Sequence, residues 1–194
     1  KKANKYEWYP DGKLNVYDNC ISKNINSGLG QKKAIIFVDK DLNFRSYSYH
    51  EIDELVNALC LLLKKQSNKI NNSKTKIMIH ASASIESALS MLACSKLGLH
   101  FTVLFEDLES QAIKNRINLF KPDIFITRWS NKDFLKKFKV NFFDKQIFYK
   151  DLFDNLKPSK INIKNKIFKS TKEFFTLFTS GSTGEPKGVI HSLG

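Results

Sequence analysis

The stretch that decides the fold is Lys76–Thr127. It reads Lys76-Ile77-Met78-Ile79-His80, then Ile85–Leu97, then Phe101-Thr102-Val103-Leu104-Phe105, then Glu109–Phe120, then Asp123-Ile124-Phe125-Ile126-Thr127. The first, third and fifth pieces are short, apolar and rich in β-branched residues, as buried strands are. The second piece has helical spacing, with Ser84 as its expected N-cap and Gly98 as its expected close. In the fourth, Ala112, Ile113, Ile117 and Phe120 are expected to face inward, and Lys121-Pro122 ends the helix. Strand, helix, strand, helix, strand at this spacing implies right-handed crossovers. The expected class is α/β, with a doubly wound, mostly parallel sheet flanked by helices.

Upstream, Lys33–Val38 and Phe44–Tyr49 flank Asp39-Lys40-Asp41 and read as a hairpin. His50–Lys65 then places Ile52, Leu55, Val56, Leu59, Leu62 and Leu63 on one helical face. Acids at its start and Lys64-Lys65 at its end suit the helix dipole. Lys69–Lys74 is a polar loop. Downstream, Gln146–Tyr149 reads as a strand and Tyr149–Leu156 as a short helix. Lys157–Lys172 reads as an exposed, lysine-rich loop, and Phe174–Phe178 as a last strand.

The chain has 194 residues and a net charge of +13. That charge suggests a nucleic-acid binder until the cations are separated: 29 are Lys and three are Arg. Readers of nucleic acid favour Arg, whose planar fork meets phosphate and guanine edges. The lysines are also scattered rather than clustered. Lys, Asn, Ile and Phe make up 80 of the residues, and all four have A/T-rich codons, so compositional drift accounts for the charge. Neither a nucleic acid nor a membrane is expected as partner. The run Leu59–Leu63 is far too short to cross a bilayer. Cys20, Cys60 and Cys94 form no metal or disulfide pattern, which points to a reducing compartment, the cytoplasm. His80 and His100 show no spacing for a triad or a metal site. For His191, a place near a substrate pocket and a plain position at a strand end stay equally open.

The chemistry is concentrated in Phe178-Thr179-Ser180-Gly181-Ser182-Thr183-Gly184-Glu185-Pro186-Lys187-Gly188-Val189, directly after an expected strand. Glycines let backbone N–H groups approach a ligand closely. Small hydroxyls donate to phosphate oxygens, and Lys187 supplies a cation. Together they make an anion nest suited to a polyphosphate. It is not a Walker A loop: Lys187 follows Pro186 rather than Gly, and no hydroxyl follows it. A plain surface turn would not need the closing Pro186-Lys187-Gly188.

Thr179 through Gly188 resembles the phosphate loop of the AMP-forming, adenylate-forming enzymes: acyl-CoA synthetases, luciferases and peptide-synthetase adenylation domains. Other segments are similar to the acetyl- and propionyl-CoA synthetase branch. These are Trp8–Cys20, Met91–Gly98, Arg116-Ile117 and Lys121–Thr127. On that resemblance, residues 1–30 are a lead-in and 31–194 are the front of the large adenylate-forming domain. The resemblance implies that a carboxylate attacks the α-phosphate of ATP, and that a thiol, usually coenzyme A, then takes the acyl group. It implies a small carboxylic acid such as acetate or propionate as substrate. It assigns Thr179, Ser180, Gly181, Ser182, Thr183, Gly184 and Lys187 to the β- and γ-phosphates. The chain starts at Lys1 and stops at Gly194, so it is expected to be a segment open at both ends. The family's Mg²⁺ ligand and catalytic lysine are expected beyond Gly194. No catalytic residue and no metal ligand is therefore assigned within the chain, and the segment by itself is expected to be inactive.

Two departures bear on coenzyme A. The family's Phe-Gly-Gly, which cradles the coenzyme's adenine, is Phe105-Glu106-Asp107 here. Its paired arginines reduce to Arg128-Trp129-Ser130. Acids in place of glycines repel a polyanion. The alternatives are a divergent ligase with a different acceptor and a non-catalytic nucleotide-binding remnant.

Overall fold

The structure, a computed structural model, describes residues 8–66, 74–128, 136, 146–148, 153–154, 156–180 and 186–194. Strand β1 (Lys13–Leu14) leads into two short turns of wide, π-type helix at Asp18–Ser22 and Ile25–Leu29. Strands β2 (Lys33–Val38) and β3 (Phe44–Ser48) follow as the expected hairpin, and α1 spans Tyr49–Gln66. Next come β4 (Lys76–His80), α2 (Ile85–Leu97), β5 (His100–Leu104), α3 (Ser110–Phe120) and β6 (Ile124–Thr127). The chain closes with β7 (Gln146–Phe148), β8 (Phe168–Lys169), β9 (Glu173–Ser180) and β10 (Pro186–Ser192).

The main sheet has the order β10-β9-β5-β4-β6-β7. Every pairing in it is parallel except β10 with β9. Strand alternation sends Ile77, Ile79, Phe101, Ile124 and Ile126 to one face, where α1 and α2 cover them. Met78, Leu104 and Phe125 go to the other face, against Ile113, Ile117 and Phe120 of α3. Helices on both faces make the sheet doubly wound, as expected. The α1 face is wider than the expected stripe: Ile52, Val56, Leu59 and Leu63 are buried, and so are Asn57, Ala58 and Cys60. The Cys60 thiol is pushed up to about 12 by burial, and burial raises Cys94 as well. Both are free, buried thiols of low reactivity. No described helix is long and apolar enough to cross a membrane.

Local signals act as read. Ser84 accepts the Ser87 N–H while the Ser87 hydroxyl accepts the Ser84 N–H, a reciprocal cap on α2. Gly98 ends α2 with φ 67°, and a Cβ there would run into the Phe168 ring.

One expectation needs correction. Lys157–Lys172 is irregular but is no free loop. The Ile163 N–H donates to Asn57 Oδ1 at 3.2 Å and the Ser159 N–H to the Glu54 carbonyl at 3.2 Å. Asn15 Nδ2 donates to the Lys166 carbonyl at 2.7 Å. The segment is a strap over the α1–α2 face, and β8 pairs antiparallel with β1. Lys157, Lys160, Lys164, Lys166 and Lys169 are exposed and Lys172 lies over the Phe168 ring, while Asn15, Asn57 and the Glu54 carbonyl hold the backbone. A strand from Gln146 is present, ending at Phe148 rather than Tyr149; the helix expected over 149–156 falls largely outside the described residues.

An ion pair knits the lead-in to the helices. Lys96 is 1 % exposed, with Nζ 3.3 Å from Asp53 Oδ1 and 4.3 Å from the Tyr17 ring centroid. Asp53 also accepts from the Tyr17 hydroxyl at 2.5 Å and Asn57 Nδ2 at 3.0 Å. Burial and the Asp53 carboxylate push the Tyr17 phenol well above its ordinary range. Replacing one partner of such a pair strands the other charge. Lys96→Met is expected to lower stability by roughly 3 kcal/mol in urea unfolding. The added cost of Asp53→Asn on top of it is expected to be smaller than that of Asp53→Asn alone.

Candidate functional site

Strand β9 runs parallel to β5 through the pair Phe101↔Phe175, so its carboxyl end emerges on the same edge of the sheet as those of β4 and β5. From that edge, Ala81–Ser84 leaves β4 toward α2 on one face. Phe105–Glu109 leaves β5 toward α3 on the other face. In open α/β sheets ligands bind where exits diverge in this way.

Of the expected phosphate residues, Thr179, Ser180 and Lys187 are described, and they sit on this edge. Thr179 and Ser180 end β9, and Lys187 lies in β10. The antiparallel register pairs Thr179 with Lys187 and Ser180 with Pro186. Paired residues share a face, so the Thr179 hydroxyl and the Lys187 ammonium stem rise side by side. The Thr179 hydroxyl donates to the Lys187 carbonyl at 3.5 Å. Both residues are exposed, and no described carboxylate lies within ion-pair distance of Lys187. Gly181, Ser182, Thr183 and Gly184 lie outside the described residues. Among the described residues no group of three His, Cys, Asp or Glu could hold a metal.

Strand β10 was not expected from the sequence. Gly188 interrupts its pattern, and its lack of a side chain leaves room for a close approach of Thr176 and Phe178. A Cβ there would lie 3.1 Å from Thr176 Cγ2 and 3.3 Å from Phe178 Cε1. Toward the other end of the hairpin, His191 stacks on Phe175 with centroids 4.5 Å apart and planes 6° apart. His191 thus takes a packing role within β10.

The sequence reading also missed the partners of the other histidines. His100 Nε2 lies 2.9 Å from Thr176 Oγ1, and its Nδ1 is 3.6 Å from Glu173 Oε2. The Thr102 hydroxyl donates to the Thr176 carbonyl at 2.7 Å. His80 Nδ1 lies 3.0 Å from Thr127 Oγ1, beneath β6. At the β5 exit, Phe105 is 64 % exposed, while Glu106 Oε1 is buried with no hydrogen-bond partner among the described residues.

Comparison with known proteins agrees with this geometry. The family described as AMP-binding enzyme matches residues 26–194. An acetyl-coenzyme A synthetase of Leptospira biflexa is 31 % identical over 97 % of this chain and 33 % of its own length. A chloroplastic/glyoxysomal acetyl-coenzyme A synthetase of Arabidopsis thaliana is 25 % identical over 97 % of this chain and 30 % of its own length. The chain thus spans about a third of the length of the curated relatives it matches. Among solved structures, a Brucella canis acyl-CoA synthetase superposes with a TM-score of 0.77 at 16 % identity, over 95 % of this chain and 34 % of its own. The N-terminal subdomain of Klebsiella oxytoca NpsA gives 0.69 at 19 % identity, over 95 % of this chain and 41 % of its own. At these identities the superpositions speak for the fold.

The His100 contacts have a pH signature. Burial pushes the His100 imidazole below its ordinary range, and the neighbouring Glu173 only partly opposes this. Between the two values the unfolded chain binds a proton that the folded chain does not. Stability is therefore expected to rise with pH up to about 6.5 and level off above it, for this group. Urea midpoints measured from pH 5 to 8 should show a steeper rise in the parent protein than in His100→Asn. Superimposable profiles would remove the assignment.

Proposed function

This chain belongs to the AMP-binding enzyme family, and on that premise we propose that it is the front part of a ligase that activates a short-chain carboxylate through an acyl-adenylate. The observation that carries the proposal is the hairpin register. Thr179 and Lys187 stand opposite each other at the carboxyl edge of the sheet, flanking the Ser/Gly-rich turn, with no described acid beside the lysine.

In the proposed reaction a carboxylate oxygen attacks the α-phosphorus of ATP. A new C–O–P linkage forms, the α–β P–O bond breaks, and pyrophosphate leaves with that electron pair. Thr179, Ser180, Gly181, Ser182, Thr183, Gly184 and Lys187 are proposed to hold the β- and γ-phosphates. Hydroxyls and backbone N–H groups donate to their oxygens. Lys187 stabilises the charge that builds on the leaving group, where a fixed cation acts most strongly. Mg²⁺, if bound together with ATP, would supply further charge neutralisation. A thiol then attacks the acyl carbon and AMP departs. Acetate or propionate is the proposed carboxylate, coenzyme A the proposed thiol, and the cytoplasm the proposed setting.

A second reading concerns the acceptor alone. Glu106 and Asp107 occupy the β5 exit, and Glu106 has one buried carboxylate oxygen with no hydrogen-bond partner among the described residues. This arrangement favours an acceptor other than a polyanion at that position.

Carboxylate-dependent ATP–pyrophosphate exchange by the full-length protein tests the first reading. Exchange is expected with acetate or propionate, and Lys187→Ala is expected to lower it about a hundredfold. Silence with every short carboxylate would overturn the assignment. Thioester formation, followed with coenzyme A in wild type and in Glu106→Gly/Asp107→Gly, separates the acceptors. Faster thioester formation in the variant favours the second reading, and an unchanged normal rate favours coenzyme A.

A further inference from the structure

Beyond Phe175, the β9–β10 hairpin is lightly covered on both faces. On the α1–α2 face, Leu177 and Val189 are register partners, and they are 52 % and 44 % exposed. On the α3 face, a cavity of about 180 Å³ lies between the hairpin and α3. Thr176, Phe178, Gly188 and Ile190 line it on one side, and Lys76 and Phe120 on the other. Packing holds the base of the hairpin, where Phe175 stacks on Phe101, and Phe178 meets the α3 core, but it holds the part nearest Thr179 and Lys187 only lightly. What remains is its edge toward β5, where the backbone register comprises only Phe101↔Phe175.

Side chains reinforce that edge, and they converge on one residue. Thr176 is 6 % exposed. Its hydroxyl meets His100 Nε2 at 2.9 Å, and its carbonyl accepts the Thr102 hydroxyl at 2.7 Å. Its methyl carbon sits under Gly188, the residue next to Lys187. His100 and Thr102 are themselves 5 % and 0 % exposed, so these bonds are made away from competing water. Thr176 therefore joins β5, the stem of the Ser/Gly-rich turn, and the strand that carries Lys187.

We propose that Thr176, held by Thr102 and His100, is a positioning residue that fixes the separation of Thr179 and Lys187 and so sets the affinity for the polyphosphate of ATP. It touches no phosphate itself. The proposal rests on the reading of this hairpin as the nucleotide site.

The test uses full-length protein and two variants of similar shape. Thr102→Val removes the donor to the Thr176 carbonyl. Thr176→Val keeps the contact under Gly188 and removes the partner of His100. Hydrogen exchange of hairpin amides is followed without nucleotide, and the KM for ATP and for the carboxylate in pyrophosphate exchange. Either variant is expected to speed hairpin exchange about tenfold and raise the KM for ATP about tenfold, with the carboxylate KM unchanged. Thr102→Ser, which restores the hydroxyl, is expected to bring both back. Unchanged hairpin exchange in both variants overturns the clamp. So does a uniform fall in all kinetic constants that follows the melting temperature and that Thr102→Ser does not reverse. If the wild type shows no response to ATP, the nucleotide reading fails separately. The nucleotide-free exchange still decides whether Thr176 orders the hairpin. Should Thr102→Val not fold, Thr176→Val carries the same measurements.

Discussion

Everything in this molecule hangs from β4, which is paired on both edges. It matches β5 over five residues, from Lys76↔His100 to His80↔Leu104, and β6 from Ile77↔Ile124 to His80↔Thr127. The register is specified by burial on both faces. Ile77 and Ile79 must reach α1 and α2, while Met78 must reach α3. A slip of one residue would exchange the two sets and break both cores at once. Parallel strands need crossovers, and those crossovers place α2 and α3 on opposite faces. The divergence of exits at the carboxyl edge follows from this, and so does the location of the hairpin.

The lead-in is tied to this frame by apolar burial of Tyr17 and Ile21 and by a polar cluster beside them. Tyr17, Asp53, Asn57 and Lys96 come from three separate segments and satisfy one another, with Asp53 half-buried and the other three buried. Asn15 adds bonds to the carbonyls of Lys96 and Lys166. The strap over 157–172 is secured in the same way. A small set of polar side chains thereby supplements the apolar contacts that these segments make with the core.

These two kinds of contact explain what the sequence reveals. Helices and strands from Lys76 to Thr127 are legible because each has its own periodicity and its own stop, with Ser84 and Gly98 acting where they stand. The strap is not legible, because Asn15 and Asn57 hold its backbone from far along the chain and leave no pattern in its composition. Lys96 has the look of a solvated lysine in a last helical turn, and only the fold surrounds it. Of the candidate site, the residue types of Thr179–Lys187 are plain in the sequence. Their facing arrangement comes from the β9–β10 register, and β10 is obscured by Pro186 and Gly188, two residues that strands usually avoid. His100, Thr102 and Thr176 read as ordinary strand residues, since their meaning is a non-local pairing of side chains.

Strand β10 also has a bearing on solubility. It is the last strand in the described sheet order, with no neighbour on its outer side among the described residues, and an open strand side is the kind of template on which other chains add. Its sequence blunts that template at three points. Pro186 brings no N–H, Lys187 brings a charge that like copies repel, and an irregularity at His191/Ser192 breaks the ladder. The proline and lysine read first as parts of a phosphate motif thus also guard the sheet against self-association.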